Sequence, residues 1–183
     1  FDNLQKSEIR GKYMDKTEEM QTVMKSILFQ GMKTEDASAM LNCLSVQRRH
    51  YEKDEFILQA GEHTDSIGLI TAGSVSVIKE DFWGNRNIVA ILEAGETFAE
   101  SYACAGNQPL SVSVFANERT EVMFLNARKV MTTCSNSCSF HNVLIQNLLS
   151  LVASKNLKMN EKLTHMTQRS TRDKLLSFLS AQS

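Results

Sequence analysis

Long apolar runs, paired histidines and a cysteine framework are all missing from this chain of 183 residues, and each absence removes a class of function. No uninterrupted apolar stretch approaches the ~20 residues needed to cross a bilayer, so any membrane role would have to come from a partner. Four cysteines, Cys43, Cys104, Cys134 and Cys138, are too few and too scattered for a disulfide scaffold. No apolar leader with a small-residue cleavage site opens the sequence, which reads as cytoplasmic. The four histidines form no His-x-His pair. His50 and His63 flank the first expected strand, and His141 and His165 fall on a long helical stretch, so a metal-dependent barrel enzyme lacks its ligands. Neither a Gly-x-Ser-x-Gly elbow nor a Gly-rich phosphate loop is present. The reading is a protein that is not an enzyme, with no catalytic residues, metal or cofactor. Cys134 and Cys138 are four apart, but among Ser135, Asn136, Ser137 and Ser139 they look like a turn ahead of a helix cap. A lone C-x-x-x-C carries little weight without further ligands.

What is present suffices for a folded domain: 42 % of the residues are hydrophobic, enough for an ordinary core. Net charge is only -1, yet it is unevenly spread. Residues 1–49 carry 8 basic and 7 acidic groups, residues 50–126 carry 4 and 12, and residues 127–183 carry 8 and 2. The middle block, at -8, is a poor surface for nucleic acid, and any such contact belongs to the C-terminal side.

Residues 1–12 show no sustained period and form a loose arm or a short helix. From Lys16, the residues Met20, Val23, Met24, Ile27 and Leu28 recur at helical spacing until Gly31. Thr34-Glu35-Asp36 then restarts a helix, with a Thr cap ahead of Ala37, Met40, Leu41 and Leu44. The methionines read as core filler. From about Tyr51 the period becomes two. Expected strands at 55–59, 66–71, 74–80, 87–92, 111–116 and 121–125 are separated by turns at Gly61, Gly73, Gly84 and Gly95. Parallel pairing would need crossover helices for which there is no room, so the strands form an antiparallel roll or barrel. Only the segment 98–108 can hold a short helix within it, and a helix start there is the first candidate site.

A long helix runs from Ser139 to about Arg169. One apolar stripe on it is Leu144, Leu148 and Leu151; a second is Ile145, Leu149, Val152, Asn156, Met159, Leu163 and Met166, stepping by four and three. A narrow seam in an otherwise polar helix, with one Asn in register, predicts a parallel homodimer. A last helix, 171–180, carries Leu175, Leu176, Phe178 and Leu179.

Particular segments resemble the Crp/Fnr family of bacterial transcription regulators, which are built on the cyclic-nucleotide-binding domain. Ser26-Ile27-Leu28-Phe29-Gln30-Gly31-Met32 is similar to the family's first helix. The stretch from Ala60-Gly61-Glu62 through Ile67-Gly68-Leu69-Ile70-Thr71-Ala72-Gly73-Ser74-Val75-Ser76-Val77 is similar to its first hairpin, and Gly95-Glu96-Thr97-Phe98-Ala99-Glu100 to the start of its phosphate-binding cassette. The resemblance, over residues 22–183, implies a mainly β fold with flanking helices: an antiparallel double-stranded β-helix, or β-roll, followed by a long C-terminal dimerisation helix. It divides the chain into an arm (1–21), a sensor domain (22–138), a dimerisation helix (139–170) and a hinge helix (171–183) leading to a winged helix-turn-helix domain that this chain lacks. It implies a homodimer, a small-molecule effector and DNA contact through the missing domain. A cyclic-nucleotide module with a non-DNA output is the alternative.

The departures bear on the effector. In the family's cyclic-AMP binders the cassette Glu holds the ribose, and an Arg and a Ser or Thr ten and eleven residues later hold the phosphate. Glu100 is present, but those positions are Leu110 and Ser111, and the Gly before the Glu is Ala99. Losing the arginine removes a charge-assisted contact of about 1.5 to 3 kcal/mol from an already acidic region. The helix positions facing the base correspond to Met159 and Asn160. The expected effector site is therefore Phe98, Ala99, Glu100, Ser101, Leu110, Ser111, Met159 and Asn160, with an unknown small molecule other than cyclic AMP as its ligand.

Overall fold

Alternation of inward and outward side chains builds two four-stranded sheets in the computed structural model, which describes residues 15–81, 83–132, 139–167, 170, 172 and 179, without the side chains of Ser139, His165 and Met166. The arm, Cys134 and Cys138, the Met166 side chain and most of the last helix lie outside the described residues. Two compact units result, Phe1–Asn147 and Leu148–Ser183.

The first unit opens with helix α1 (Lys16–Lys25), whose Glu18 and Glu19 lie in the first turn and Lys25 in the last, each at the end of the helix dipole that favours it. A single 3-10 turn, Ile27–Phe29, buries Leu28 and Phe29. Ile27, which falls within the expected helical run up to Gly31, is 45 % exposed at the start of this turn. Helix α2 (Thr34–Cys43) buries Ala37, Met40 and Leu41 as its period requires. Its cap differs from expectation: Lys33 occupies the N-cap position, Thr34 is the first helical residue, and no side chain caps the helix. Glu35 and Asp36 in the first turn supply the negative charge there.

Eight strands come next: β1 (Gln47–Tyr51), β2 (Phe56–Leu58), β3 (Ser66–Ala72), β4 (Ser74–Glu80), β5 (Arg86–Glu93), β6 (Thr97–Phe98), β7 (Ser113–Ala116) and β8 (Thr120–Asn126). The sheets have the orders β1-β8-β3-β6 and β2-β7-β4-β5, with every pair antiparallel. The expected β-roll is therefore present, with two strands that the sequence pattern does not reveal. Strand β1, Gln-Arg-Arg-His-Tyr, buries only Tyr51, and β6 is two residues long. Two short helices, α3 (Glu100–Ala105) and α4 (Ala127–Met131), interrupt and close the roll, and α5 (Ser139–Met166) comes after them.

Tyr51, Ile57, Ile70, Val75, Phe98, Val114, Ala116 and Val122 form the core between the sheets. On β3 the alternate residues Ile67 and Leu69 face the other way, toward the side on which α1 lies, and both are fully buried. Gly73 stands at φ +77° in the β3–β4 turn, and a Cβ there would meet the Arg119 carbonyl and the Thr120 hydroxyl, so a side chain is excluded twice over. Asn147 of α5 donates from Nδ2 to the carbonyls of Leu28 (3.0 Å) and Gln30 (2.8 Å), tying the start of the long helix to the 3-10 turn.

Gly68 has an ordinary φ but no room, because an added Cβ would overlap the Phe98 ring. Gly68→Ala is expected to destabilise the protein by about 1 to 3 kcal/mol, the range for overpacking a close-packed core. Urea unfolding measures it, and an unchanged midpoint would contradict this account of the packing.

Candidate functional site

Residues 95–111 wrap one end of the roll, and their geometry starts at a turn. Gly95, at φ +94°, lets the chain reverse, and its N–H donates to the Ile70 carbonyl (2.8 Å) while Ile70 N–H donates to the Glu96 carbonyl (3.0 Å). The Glu96 carboxylate accepts from Glu93 N–H at 2.8 Å and closes the turn. Phe98 is then buried over Gly68 and meets Phe124 edge-on, with centroids 6.2 Å apart. Ala99 is next, in the left-handed region at φ +62°. Such a conformation costs a non-glycine residue roughly 1 to 2 kcal/mol, which is the physical reason the resembling family has glycine at this step.

That reversal starts α3 and turns Glu100 inward, where it is 4 % exposed. Ser101 is exposed. Cys104, one helical turn after Glu100, has its thiol pushed up by burial and, secondarily, by the Glu100 charge, so it stays protonated at neutral pH and is a poor nucleophile. The helix ends at Gly106 (φ +63°), whose N–H donates to the Tyr102 carbonyl at 3.2 Å.

The segment that the resemblance assigns to phosphate contacts, Leu110 and Ser111, is tied down in two ways. Leu110 N–H donates to the Glu62 carbonyl and Gly61 N–H to the Leu110 carbonyl, both at 2.8 Å. The Leu110 side chain is thereby fixed in the interior, 3 % exposed. Beside it, the Tyr102 hydroxyl lies 2.6 Å from Ser111 Oγ and accepts from Ser111 N–H at 3.4 Å. The hydroxyl and the N–H of Ser111, an exposed residue, thus both contact a side chain of the cassette's own helix. Tyr102 is absent from the sequence-derived site, because nothing in the local pattern shows that a residue nine positions earlier reaches Ser111. Residues 50–126 carry two arginines. Arg86 pairs across the β4–β5 hairpin with Glu80 at 3.7 Å, and Arg119 stands in the β7–β8 turn with its carbonyl against Gly73.

The structure thus brings together Phe98, Ala99, Glu100 and Ser101 as one continuous segment, with Ser111 joined to it through Tyr102. Met159 and Asn160 belong to the second unit, where Met159 is half exposed and Asn160 Nδ2 donates to Asn156 Oδ1 at 3.1 Å. Along α5, Leu144, Leu148 and Leu151 are buried, whereas Leu149 (70 %), Met159 and Leu163 are exposed. Ile145 and Val152 are intermediate and Asn156 is exposed. Among the described residues no cluster of three His, Cys, Asp or Glu side chains is placed to hold a metal ion, and no helix is long and apolar enough to cross a membrane.

Two antiparallel sheets closed by a strand–turn–helix cassette with an inward glutamate define a cyclic-nucleotide-binding fold, and residues 48–137 match the cyclic nucleotide-binding domain family. That match covers 90 of the 183 residues. Its fold is similar to that of the catabolite activator protein of Thermus thermophilus, with TM-score 0.66 and 23 % identity over 78 % of this chain and 63 % of that one. A cyclic nucleotide-binding domain from Methylobacillus flagellatus KT has TM-score 0.69 and 22 % identity, covering 85 % of each chain. The sensor domain of the transcriptional regulator DNR from Pseudomonas aeruginosa has TM-score 0.58 and 15 % identity over 82 % of this chain and 94 % of that one. The chain therefore spans less than two thirds of the Thermus protein and most of the other two. No curated protein matches it by sequence.

Proposed function

We propose that the chain is the effector-sensing and dimerisation part of a bacterial Crp/Fnr-type transcription regulator, a non-catalytic cytoplasmic protein whose roll takes a small molecule other than cyclic AMP and controls DNA binding by the full-length dimer. The observation that carries the choice of effector is the state of Leu110 and Ser111. A cyclic phosphate needs a cation and free donors. Here the arginine position is a buried leucine, and the serine position is already bonded to Tyr102. The effector contacts proposed are those of Phe98, Ala99, Glu100, Ser101, Leu110, Ser111, Met159 and Asn160. Dimerisation through Ile145, Leu149, Val152, Asn156, Met159, Leu163 and Met166 is supported by the exposure of Leu149, Met159 and Leu163 at seam spacing.

Thermal unfolding with and without millimolar cyclic AMP or cyclic GMP tests the effector reading. A ligand at 100 times its Kd stabilises by about 2.7 kcal/mol, which in a domain of this size raises Tm by roughly 5 to 11 °C. The expected shift is near zero, and a rise in that range contradicts the reading. For the dimer, Leu163→Asp places a charge in the seam and should weaken association about 30-fold or more in sedimentation equilibrium, the effect of losing a central interface contact. A parent chain that sediments as a monomer, or a variant dimer of unchanged affinity, argues against pairing through this helix.

A further inference from the structure

A cavity of about 740 Å³ is bounded by β1, β2, β8, α4 and the last turn of α3. It is distinct from the cassette face: Ala103, Gly106 and Asn107 line it, and Glu100, Leu110 and Ser111 do not. Its apolar wall is Ile57, Leu58 and the ring of Phe124. The Arg49 guanidinium stands over that ring, 5.5 Å from its centroid, and donates to Gln47 Oε1 at 3.4 Å. Arg128 and Lys129 bring two further cations to the lining. Among the described residues none of these three is within ion-pair distance of a carboxylate. The carboxylate in the lining, Asp65, is already held by Asn126 Nδ2 and Ser66 Oγ, each at 2.8 Å.

Residues 50–126 carry a net -8, yet the cations that converge here come from outside that block, Arg49 on one side of it and Arg128 and Lys129 on the other. Like charges gathered around a concavity repel one another, and an anion in that concavity offsets the repulsion. The volume falls within the usual range for small-molecule sites, roughly 300 to 1,000 Å³, and an apolar wall beside a few fixed polar groups is the usual lining of such sites.

We propose that this cavity binds a small amphipathic anion, a phosphate or carboxylate carried on a ring-sized apolar body. Arg49, Arg128 and Lys129 meet the anionic group, and Phe124 with Leu58 packs against the body. The site stands whether or not the cassette takes a ligand. Because Ala103 and Glu100 lie on the same short helix, an occupant also bears on the element that carries the cassette.

Isothermal titration calorimetry of the 183-residue chain with 1-naphthyl phosphate, and with neutral 1-naphthol as control, tests the proposal. One site with Kd below about 1 mM is expected. Arg49→Gln and Lys129→Gln should each weaken it about tenfold or more, as should removing the phosphate, in line with the loss of one charge-assisted contact. Ser111→Ala, in the cassette, should leave it unchanged. Absence of binding at millimolar concentration, binding indifferent to both cationic variants, loss of binding in Ser111→Ala, or tighter binding of hexaglutamate than of the naphthyl phosphate would each overturn the proposal.

Discussion

The ring of Phe98 sits where a side chain at residue 68 would otherwise be, and the Gly95–Ile70 and Ile70–Glu96 backbone hydrogen bonds hold the entry to its two-residue strand against the sheet. Gly68 and Leu69 pair with β6, and the close fit between one aromatic ring and one bare α-carbon adds to those hydrogen bonds in fixing its register. That contact sets the path of the chain into the cassette. The backbone leaves Phe98 through a left-handed Ala99 and enters α3 with Glu100 turned inward. Strain at Ala99 persists because the residues on both sides are fixed, Phe98 by the core and Glu100 by burial.

The same anchoring decides what the cassette can do chemically. A glutamate is held in the interior, and the two positions that the resemblance assigns to phosphate contacts are a buried leucine and a serine bonded to Tyr102. Cation density lies instead on the Arg49, Arg128 and Lys129 side, where β1 leaves the core period. The domain thus keeps the shape of the family that it matches while its charges stand in a different place from the cyclic-AMP pattern.

Much of the roll is legible in the sequence because its signals are local. Ser66 to Glu80 alternates around Gly73, and the structure returns it as the β3–β4 hairpin; the 3.6 period from Ser139 returns as α5. Strand β1 is not legible, since Gln47, Arg48, Arg49 and His50 give no period-two apolar signal and only Tyr51 is buried. Thr34 suggests a cap that the backbone does not use, because the preceding Lys33 takes the N-cap conformation. At the cassette, Phe98 through Ser101 and Ser111 can be placed from motif spacing. Tyr102 cannot, since its role depends on a loop closure that brings residues nine apart to 2.6 Å. The cationic cavity is hidden for the same reason: its charges come from separate segments, and a block count averages them away.

Amide NMR during a cyclic AMP titration gives the most direct test of the central proposal, that Tyr102 and Ser111 stay bonded to each other and take no cyclic phosphate. The Tyr102 and Ser111 resonances should stay in place up to millimolar nucleotide. A saturable shift of both would mean that phosphate displaces the tyrosine hydroxyl, and would contradict the account.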